Sequence, residues 1–192
     1  MSTKNIVTPR GKAIWPKVNE PSTKFDPMGV YTCDIEVSEE DAKAFIEELT
    51  PIIDAAYAQE LKAQGKNKIK RNDSFPVRQD DEGAWIIKTK QVAKKETRSG
   101  KTLEFDVKLF DAKGKPCDVE VGGGSMVKCS VTPRCWYNPS LGFGCTLTLR
   151  AVQVIELVEY EPSYGFSEED GSFQAAEEDL GEGFEDETDG DF

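Results

Sequence analysis

Cationic and aromatic side chains recur on the polar side of several predicted strands. In the segment 126–137 every second residue is largely apolar, and the positions between carry cations and a tryptophan. Cations can follow a phosphate backbone and aromatic rings can stack on bases, which is the chemistry that single-stranded nucleic acid requires. The candidate nucleic-acid-binding residues on this basis are Trp15, Lys17, Lys88, Lys90, Lys94, Lys95, Arg98, Lys101, Lys128, Arg134, Trp136 and Arg150.

A purely structural explanation competes for each of these residues taken singly. Lysine is common on exposed strand faces, and a tryptophan near the rim of a barrel often only covers the core. Alternation decides which side of a strand a residue lies on, but not what it binds. Tyr31 and Phe105 share a face with aliphatic residues and are assigned to the core. The hypothesis of a binding face therefore depends on the set and not on one member.

A catalytic alternative comes from four other residues. Asp106 and Lys108, with Asp80 and Asp81 upstream, imitate the Asp…(Asp/Glu)-x-Lys pattern of metal-dependent nucleases. In that chemistry carboxylates hold Mg²⁺ and the lysine assists an attacking water. So short a pattern is weak without its structural context. The chain has no histidine, which excludes Cys/His zinc sites and the common Ser-His-Asp triad. We expect a binding protein with no metal or cofactor.

The charge of the chain is divided very unevenly. Residues 1–155 hold all 24 Lys and Arg together with 21 acidic residues, a net charge of +3, whereas residues 156–192 hold the other 15 acidic residues and no base. Like charges cannot collapse into a core, and aliphatic periodicity ends near residue 158. The sequence therefore predicts a nucleic-acid-binding domain over 1–158 and a disordered acidic tail for partner binding over 159–192.

Six segments of the body alternate apolar and polar residues with the period of two that is typical of strands. They are residues 13–18, 29–37, 85–93, 103–110, 126–137 and 144–157. Residues 38–65 instead carry apolar residues at helical spacing, with a capping box at Ser38 and Asp41 and a stop at Gly65. Pro51 predicts a kink or a second helix. This mainly β pattern with one inserted helix favours an OB fold, a five-stranded Greek-key barrel.

The five cysteines and the hydropathy of the chain bear on its cellular location. The cysteines have no CxxC spacing and are expected to be reduced thiols. No apolar run reaches membrane-spanning length, and no secretion signal opens the sequence. We therefore expect a cytoplasmic protein that does not bind membranes.

Four stretches, taken in order, resemble a known family. They are GVYTCDIEV (29–37), FDAKGK (110–115), VGGGSMVKCSVTPRCW (121–136) and the closing DGDF (189–192). Together they are similar to the single-stranded DNA-binding proteins of phage replication, of the type found in short-tailed phages of the T-odd group. The resemblance covers nearly the whole chain, but residues 66–84 and 158–180 match only loosely. The role of Trp85 stays open.

The resemblance implies a function for both parts of the chain. It implies an OB fold that binds single-stranded DNA without sequence preference, with Arg134, Trp136 and Arg150 on strands that line the DNA groove. It also implies that the tail engages the replicative DNA polymerase and the helicase-primase, helps to form a homodimer, and acts in the cytoplasm of the infected host. The tail residues to which this applies are Glu185, Asp186, Glu187, Asp189, Asp191 and Phe192, with Phe192 as the aromatic anchor.

The acidic tail and the choice between DNA and RNA also bear on the function. The segment 156–192, with a net charge of −15, can lie in the cationic groove of its own body and imitate a phosphate strand until DNA displaces it. The alternative of an RNA-binding OB-fold chaperone stays open, because cations and aromatic rings serve RNA as well as DNA.

Overall fold

The computed structural model describes residues 4–24, 26–72, 75–97 and 99–159. Eleven strands and one helix are present in this part of the chain. In chain order they are β1 (Ile6–Val7), β2 (Gly11–Ser22), β3 (Val30–Val37), α1 (Glu39–Gln64), β4 (Val77–Gln79), β5 (Trp85–Ile87), β6 (Thr89–Val92), β7 (Lys94–Glu96), β8 (Thr102–Glu104), β9 (Lys108–Phe110), β10 (Met126–Asn138) and β11 (Gly142–Glu156). No helix among these described residues is long and apolar enough to cross a membrane.

Five of the strands close into a barrel. β2 pairs with β3, β3 with β6, β6 with β11, β11 with β10, and β10 pairs back with β2. All of these pairs are antiparallel except β6 with β11, which are parallel. A small five-stranded barrel of this kind is the architecture predicted from the sequence. The short strands β1, β4, β5 and β9 extend the same sheet.

The inside of the barrel is the hydrophobic core. Alternate residues of the barrel strands point inward, as the period of two requires. Ile35, Val127, Leu147 and Leu149 are fully buried there. The helix covers the core with Phe45, Leu49 and Ile53, which lie four residues apart on one face. The other side of each barrel strand is left for the solvent or a ligand.

Both ends of α1 form as the sequence predicts. The Asp41 backbone N–H donates to the Ser38 hydroxyl at 3.1 Å, and the Ser38 hydroxyl donates to the Asp41 carboxylate at 2.7 Å. Gly65 ends the helix in the left-handed conformation, with φ at 60°. Pro51 lies inside one continuous helix, so the predicted start of a second helix is wrong. Leu49 and Ile53 are buried on either side of Pro51, and their packing holds the two halves in one element.

The predicted single strand over 103–110 is wrong, because two strands form there. β8 pairs with β7 in a separate hairpin, whereas β9 pairs with β11 of the barrel sheet. Between them the Phe105 backbone N–H donates to the Ala93 carbonyl at 2.7 Å, which ends the hairpin. Ser99 and Gly100 lie in the turn of this hairpin. The alternation of apolar and polar residues cannot show that one continuous segment forms strands of two different sheets.

Gly142 generates a prediction about stability. Its φ is 91°, and an added Cβ would lie 2.3 Å from the Lys70 carbonyl oxygen, which accepts the Phe143 N–H. Gly142→Ala should therefore lower the free energy of unfolding by about 2–4 kcal/mol, measured by urea denaturation.

Gly100→Ala is the matched control. Gly100 has a φ of 76° but nothing within 4 Å of the added Cβ, so only backbone strain of about 1–2 kcal/mol is expected. Equal losses in the two variants would contradict the steric explanation.

Candidate nucleic-acid interface

A row of paired residues crosses the outer face of the barrel from β2 to β10. Lys17 lies opposite Thr32, and Thr32 lies opposite Lys90. Lys90 lies beside Thr148, which is opposite Thr132. Paired residues on neighbouring strands project to the same side of a sheet. The barrel therefore presents cations and hydroxyl groups together on the side away from its core.

The β7–β8 hairpin forms a wall of a groove of about 510 Å³ on this face, which we call the hairpin groove. Threonines 146 and 148 of β11 form part of its lining. The cations that line it are Lys90, Lys95, Arg134 and Arg150, and the large apolar side chains are Val92, Leu103 and Phe105. Glu96 also lines the groove, which thus combines a net positive charge with apolar surface. Four of the residues predicted from the sequence meet in it.

Arg150 enters the hairpin groove through a β-bulge. Ser130 is paired with Ala151 and Val131 with Leu149, so Arg150 is the extra residue of β11. Its Nε donates to the Thr132 hydroxyl at 3.1 Å. The bulge therefore presents Arg150 on the outer side with a hydrogen bond that fixes its direction.

Two further cavities continue the hairpin groove. The middle pocket, of about 360 Å³, shares Lys90 and Thr146 with the hairpin groove. The far pocket, of about 380 Å³, shares Asp34, Arg78 and Lys88 with the middle pocket. The three cavities together form one track across the outer face, which we call the binding track. Lys88, a predicted residue, thus lies on the same track as Lys90.

Sequence reasoning missed Arg78 and misplaced Phe105. Arg78 lies in β4, a strand of three residues that is too short for its alternation to be recognised. Phe105 was assigned to the core, but it is half-buried and lines the hairpin groove. Phe105 lies between β8 and β9, where its backbone N–H donates to the Ala93 carbonyl, and it belongs to neither strand. Tyr31 does pack against the core, as predicted.

Asp34 is the unusual group of the binding track. Its side chain is 29% exposed, its Oδ1 accepts the Thr89 backbone N–H at 3.3 Å, and Lys88 Nζ lies 3.8 Å from Oδ2. Burial raises the pKa of Asp34 above its ordinary value, and this effect outweighs Lys88, the Thr89 N–H and Arg78, which all lower that pKa. A partly desolvated carboxylate thus lies among cations.

The three tryptophans have different environments. Trp136 is half-buried on the outer face, two residues from Arg134, and packs on Gly144, where an added Cβ would lie 2.4 Å from the ring. Trp15 is 84% exposed, with a φ of 43° in the irregular part of β2. Trp85, whose role the sequence leaves open, packs against the core.

Several predicted residues lie away from the binding track. Lys94 forms an ion pair with Glu104 at 3.1 Å, and Lys101 is exposed in the hairpin turn. Lys128 is on the outer face of β10 but six residues before Arg134, roughly 20 Å along a strand. Lys17 and Trp15 also line a separate concavity with Glu20 and Glu120. Arg98 and the six tail residues lie outside the described residues.

The nuclease constellation is not assembled. Asp106 and Lys108 form an ion pair at 2.5 Å, in which Lys108 lowers the pKa of Asp106. They line a different concavity from Asp80 and Asp81, which line the far pocket. Within the described ranges no group of three His, Cys, Asp or Glu side chains could hold a metal ion. All five cysteines are free thiols.

A closed five-stranded barrel with a cationic, partly apolar track on its outer face defines the class of OB-fold proteins that bind single-stranded nucleic acid. The family model described as "Single-stranded DNA-binding protein, Bacteriophage T7" matches residues 12–157, and the chain belongs to this family. Family membership confirms the predicted resemblance and the prediction of a DNA-binding protein that is not an enzyme. No curated protein sequence matches the chain significantly.

Solved structures show the same fold. The chain is similar to gp2.5, a single-stranded DNA-binding protein encoded by bacteriophage T7, with 21% identity, a TM-score of 0.71, and coverage of 91% of this chain and 100% of gp2.5. It is also similar to the single-stranded DNA-binding protein of bacteriophage Enc34 in complex with single-stranded DNA, with 16% identity, a TM-score of 0.55, and coverage of 81% and 88%. These likenesses confirm the predicted OB fold.

The raised pKa of Asp34 predicts how stability depends on pH. Because the folded state holds the Asp34 proton more tightly than the unfolded state, ionised Asp34 costs stability at neutral pH. The cost disappears as the pH falls towards 3.8, the ordinary pKa of this group. Asp34→Asn should therefore raise the thermal unfolding midpoint at neutral pH, and this gain should shrink in acid. Asp118→Asn, at an exposed carboxylate, controls for the loss of one charge. A gain of the same size at all pH values would contradict the assignment.

Proposed function

We propose that the chain binds single-stranded DNA along the binding track, with little dependence on sequence. The observation that carries the proposal is the convergence of Lys90, Lys95, Arg134 and Arg150 from four different strands on one groove. Cations that contact phosphates position a nucleic acid without reading its bases. The affinity of such a surface falls as salt rises, because binding releases counterions from the DNA.

The apolar side chains of the hairpin groove supply a second kind of contact. Phe105 is half-buried, Leu103 is 38% exposed and Val92 is 37% exposed, so the three leave apolar surface within reach of a ligand. Stacking of a base on an aromatic ring contributes about 1–3 kcal/mol whatever the base. Trp136, close to Arg134, is the other candidate for stacking. The faces of bases are accessible in a single strand but stacked inside a duplex, which favours single strands.

The track can be tested by charge reversal at Arg134. Arg134→Glu removes a cation from the hairpin groove and adds repulsion, so affinity for single-stranded DNA should fall about tenfold at low salt and its salt dependence should become shallower. The thermal midpoint should stay near that of the wild type, because Arg134 is exposed. Fluorescence anisotropy with a labelled oligonucleotide at several salt concentrations measures both quantities.

Lys113→Glu provides the matched control for this experiment. Lys113 is exposed in the turn after β9 and lines none of the three cavities of the track, yet its reversal changes the net charge by the same amount. Equal losses in the two variants would place the binding surface elsewhere. Matched duplex DNA and RNA oligonucleotides complete the assay, and tighter binding of RNA would favour the RNA-chaperone alternative.

We further propose that the acidic tail, residues 159–192, regulates DNA binding and recruits replication enzymes of a phage. The support is the charge of the sequence, −15 over residues 156–192 against +3 for the rest. Such a segment competes with DNA for a cationic groove, and DNA releases it to a basic surface of a partner. The proposed partners are the replicative DNA polymerase and the helicase-primase, with Phe192 as an apolar anchor. A homodimer and a location in the host cytoplasm belong to the same proposal.

Two tail variants separate charge from anchoring. Deletion of residues 176–192 removes nine acidic residues, so affinity for single strands should rise, most strongly at low salt, where screening is weakest. The same deletion should abolish binding to the cognate polymerase. Phe192→Ala should reproduce the polymerase defect and leave DNA affinity nearly unchanged, because it removes no charge. If the deletion alters neither affinity, the tail only promotes solubility.

A further inference from the structure

Asp34 differs from Glu96, Asp80 and Asp81, the exposed acidic residues of the binding track, because its side chain is largely covered. Asp34 lines both the middle pocket and the far pocket, and it is the one acidic side chain among the described residues that line the middle pocket. Its negative charge repels phosphate oxygens, which cannot accept a hydrogen bond from it. A DNA strand must therefore keep its phosphates away from this point.

The cations around Asp34 show where the phosphates can go. Lys88, Lys90 and Arg78 also line the middle pocket, and both lysines are exposed, whereas the Asp34 side chain is largely covered. Phosphates that contact the exposed cations leave the bases to point towards Asp34. The charge distribution thus orients a single strand with its bases inward.

The volume and the lining of the middle pocket suit one base. Its volume of about 360 Å³ lies within the range of roughly 300–1,000 Å³ that is usual for pockets that take small ligands. Phe75 is half-buried and supplies apolar contact beside the buried Pro76, and the hydroxyls of Thr32 and Thr146 supply adaptable polar groups. Apolar walls with a few polar groups are typical of sites that hold a planar ring.

Asp34 can accept a hydrogen bond from such a ligand. Oδ1 receives one backbone N–H, and Lys88 Nζ at 3.8 Å from Oδ2 is beyond the length of a direct hydrogen bond. Each carboxylate oxygen has two acceptor positions. The Asp34 carboxylate therefore has acceptor capacity on the side that faces the pocket.

We propose that the middle pocket is a base-reading subsite in which Asp34 accepts a hydrogen bond from the exocyclic amino group of cytosine. The proposal deepens the DNA-binding function above and rests on it. Cytosine N4 donates to carboxylates, whereas thymine and uracil place the O4 carbonyl oxygen at the same position. An oxygen there faces the carboxylate with no proton between them. The track then accepts most sequences but prefers cytosine to thymine or uracil at one position.

The test compares oligonucleotides of deoxycytidine and deoxyuridine of equal length, which differ in the groups at C4 and N3 and not in size. The wild-type protein should bind deoxycytidine more tightly by about threefold to tenfold, the range expected for one hydrogen bond to a charged group against competing water. In Asp34→Asn the side-chain NH₂ group can donate to O4 of uracil, and the side-chain oxygen can accept from N4 of cytosine. The ratio of the affinities for the two oligonucleotides should therefore fall to near one. The asparagine oxygen can still accept the Thr89 N–H.

Asp81→Asn is the matched control, because Asp81 is an exposed acid of the far pocket that does not line the middle pocket. Loss of one negative charge should raise the affinity for both oligonucleotides in either variant, but Asp81→Asn should keep the wild-type ratio. The proposed subsite would be overturned if Asp34→Asn left the ratio of the deoxycytidine and deoxyuridine affinities unchanged. It would also be overturned if the wild-type protein bound the two oligonucleotides equally. Failure of the wild-type protein to bind either oligonucleotide would instead overturn the proposed function.

Discussion

The antiparallel pairing of β10 with β11 is the interaction on which the rest of the structure depends. These two strands pair from Met126 to Asn138, and they are the longest in the described part of the chain. β10 also pairs with β1 and β2, and β11 with β6 and β9, so closure of the barrel passes through both. Closure separates a dry interior from an outer face, and residues that alternate along the two strands are sorted between them. Val131 and Leu149 fill the core for the same reason that Arg134 and Thr148 face outward.

Irregularities in the regular pairing shape the outer face. The bulge at Arg150 directs that side chain to Thr132, and the separation of β8 from β9 frees a hairpin to form a wall beside the barrel. A strictly regular barrel would present a flat row of side chains, which offers phosphates contacts but gives bases no enclosure. The hairpin adds Lys95 and Leu103 to the groove, so charge and apolar surface meet in one concavity.

The electrostatics of the binding track combine attraction with exclusion. In the proposed function, exposed cations such as Lys90 and Arg134 attract a phosphate backbone to the track. Asp34 lies deeper, and its burial raises its pKa even though Lys88 and Arg78 are near. In the proposed subsite, opposite charges at different depths distinguish the phosphates of a single strand from its bases. The same logic applies to an acidic tail, which carries the charge of a nucleic acid but has no bases.

The sequence by itself determined the features that depend on local periodicity and composition. Alternation placed Lys90, Arg134 and Trp136 on the outer side of their strands, and capping residues located α1 from Ser38 to Gly65, because these patterns involve neighbours in the chain. Tertiary structure alone decided that one apolar run serves two sheets, that Phe105 lines a groove, and that Arg78 and Asp34 meet near Lys88. Those outcomes depend on pairing between residues far apart in sequence, and no local pattern encodes which strands become neighbours in space.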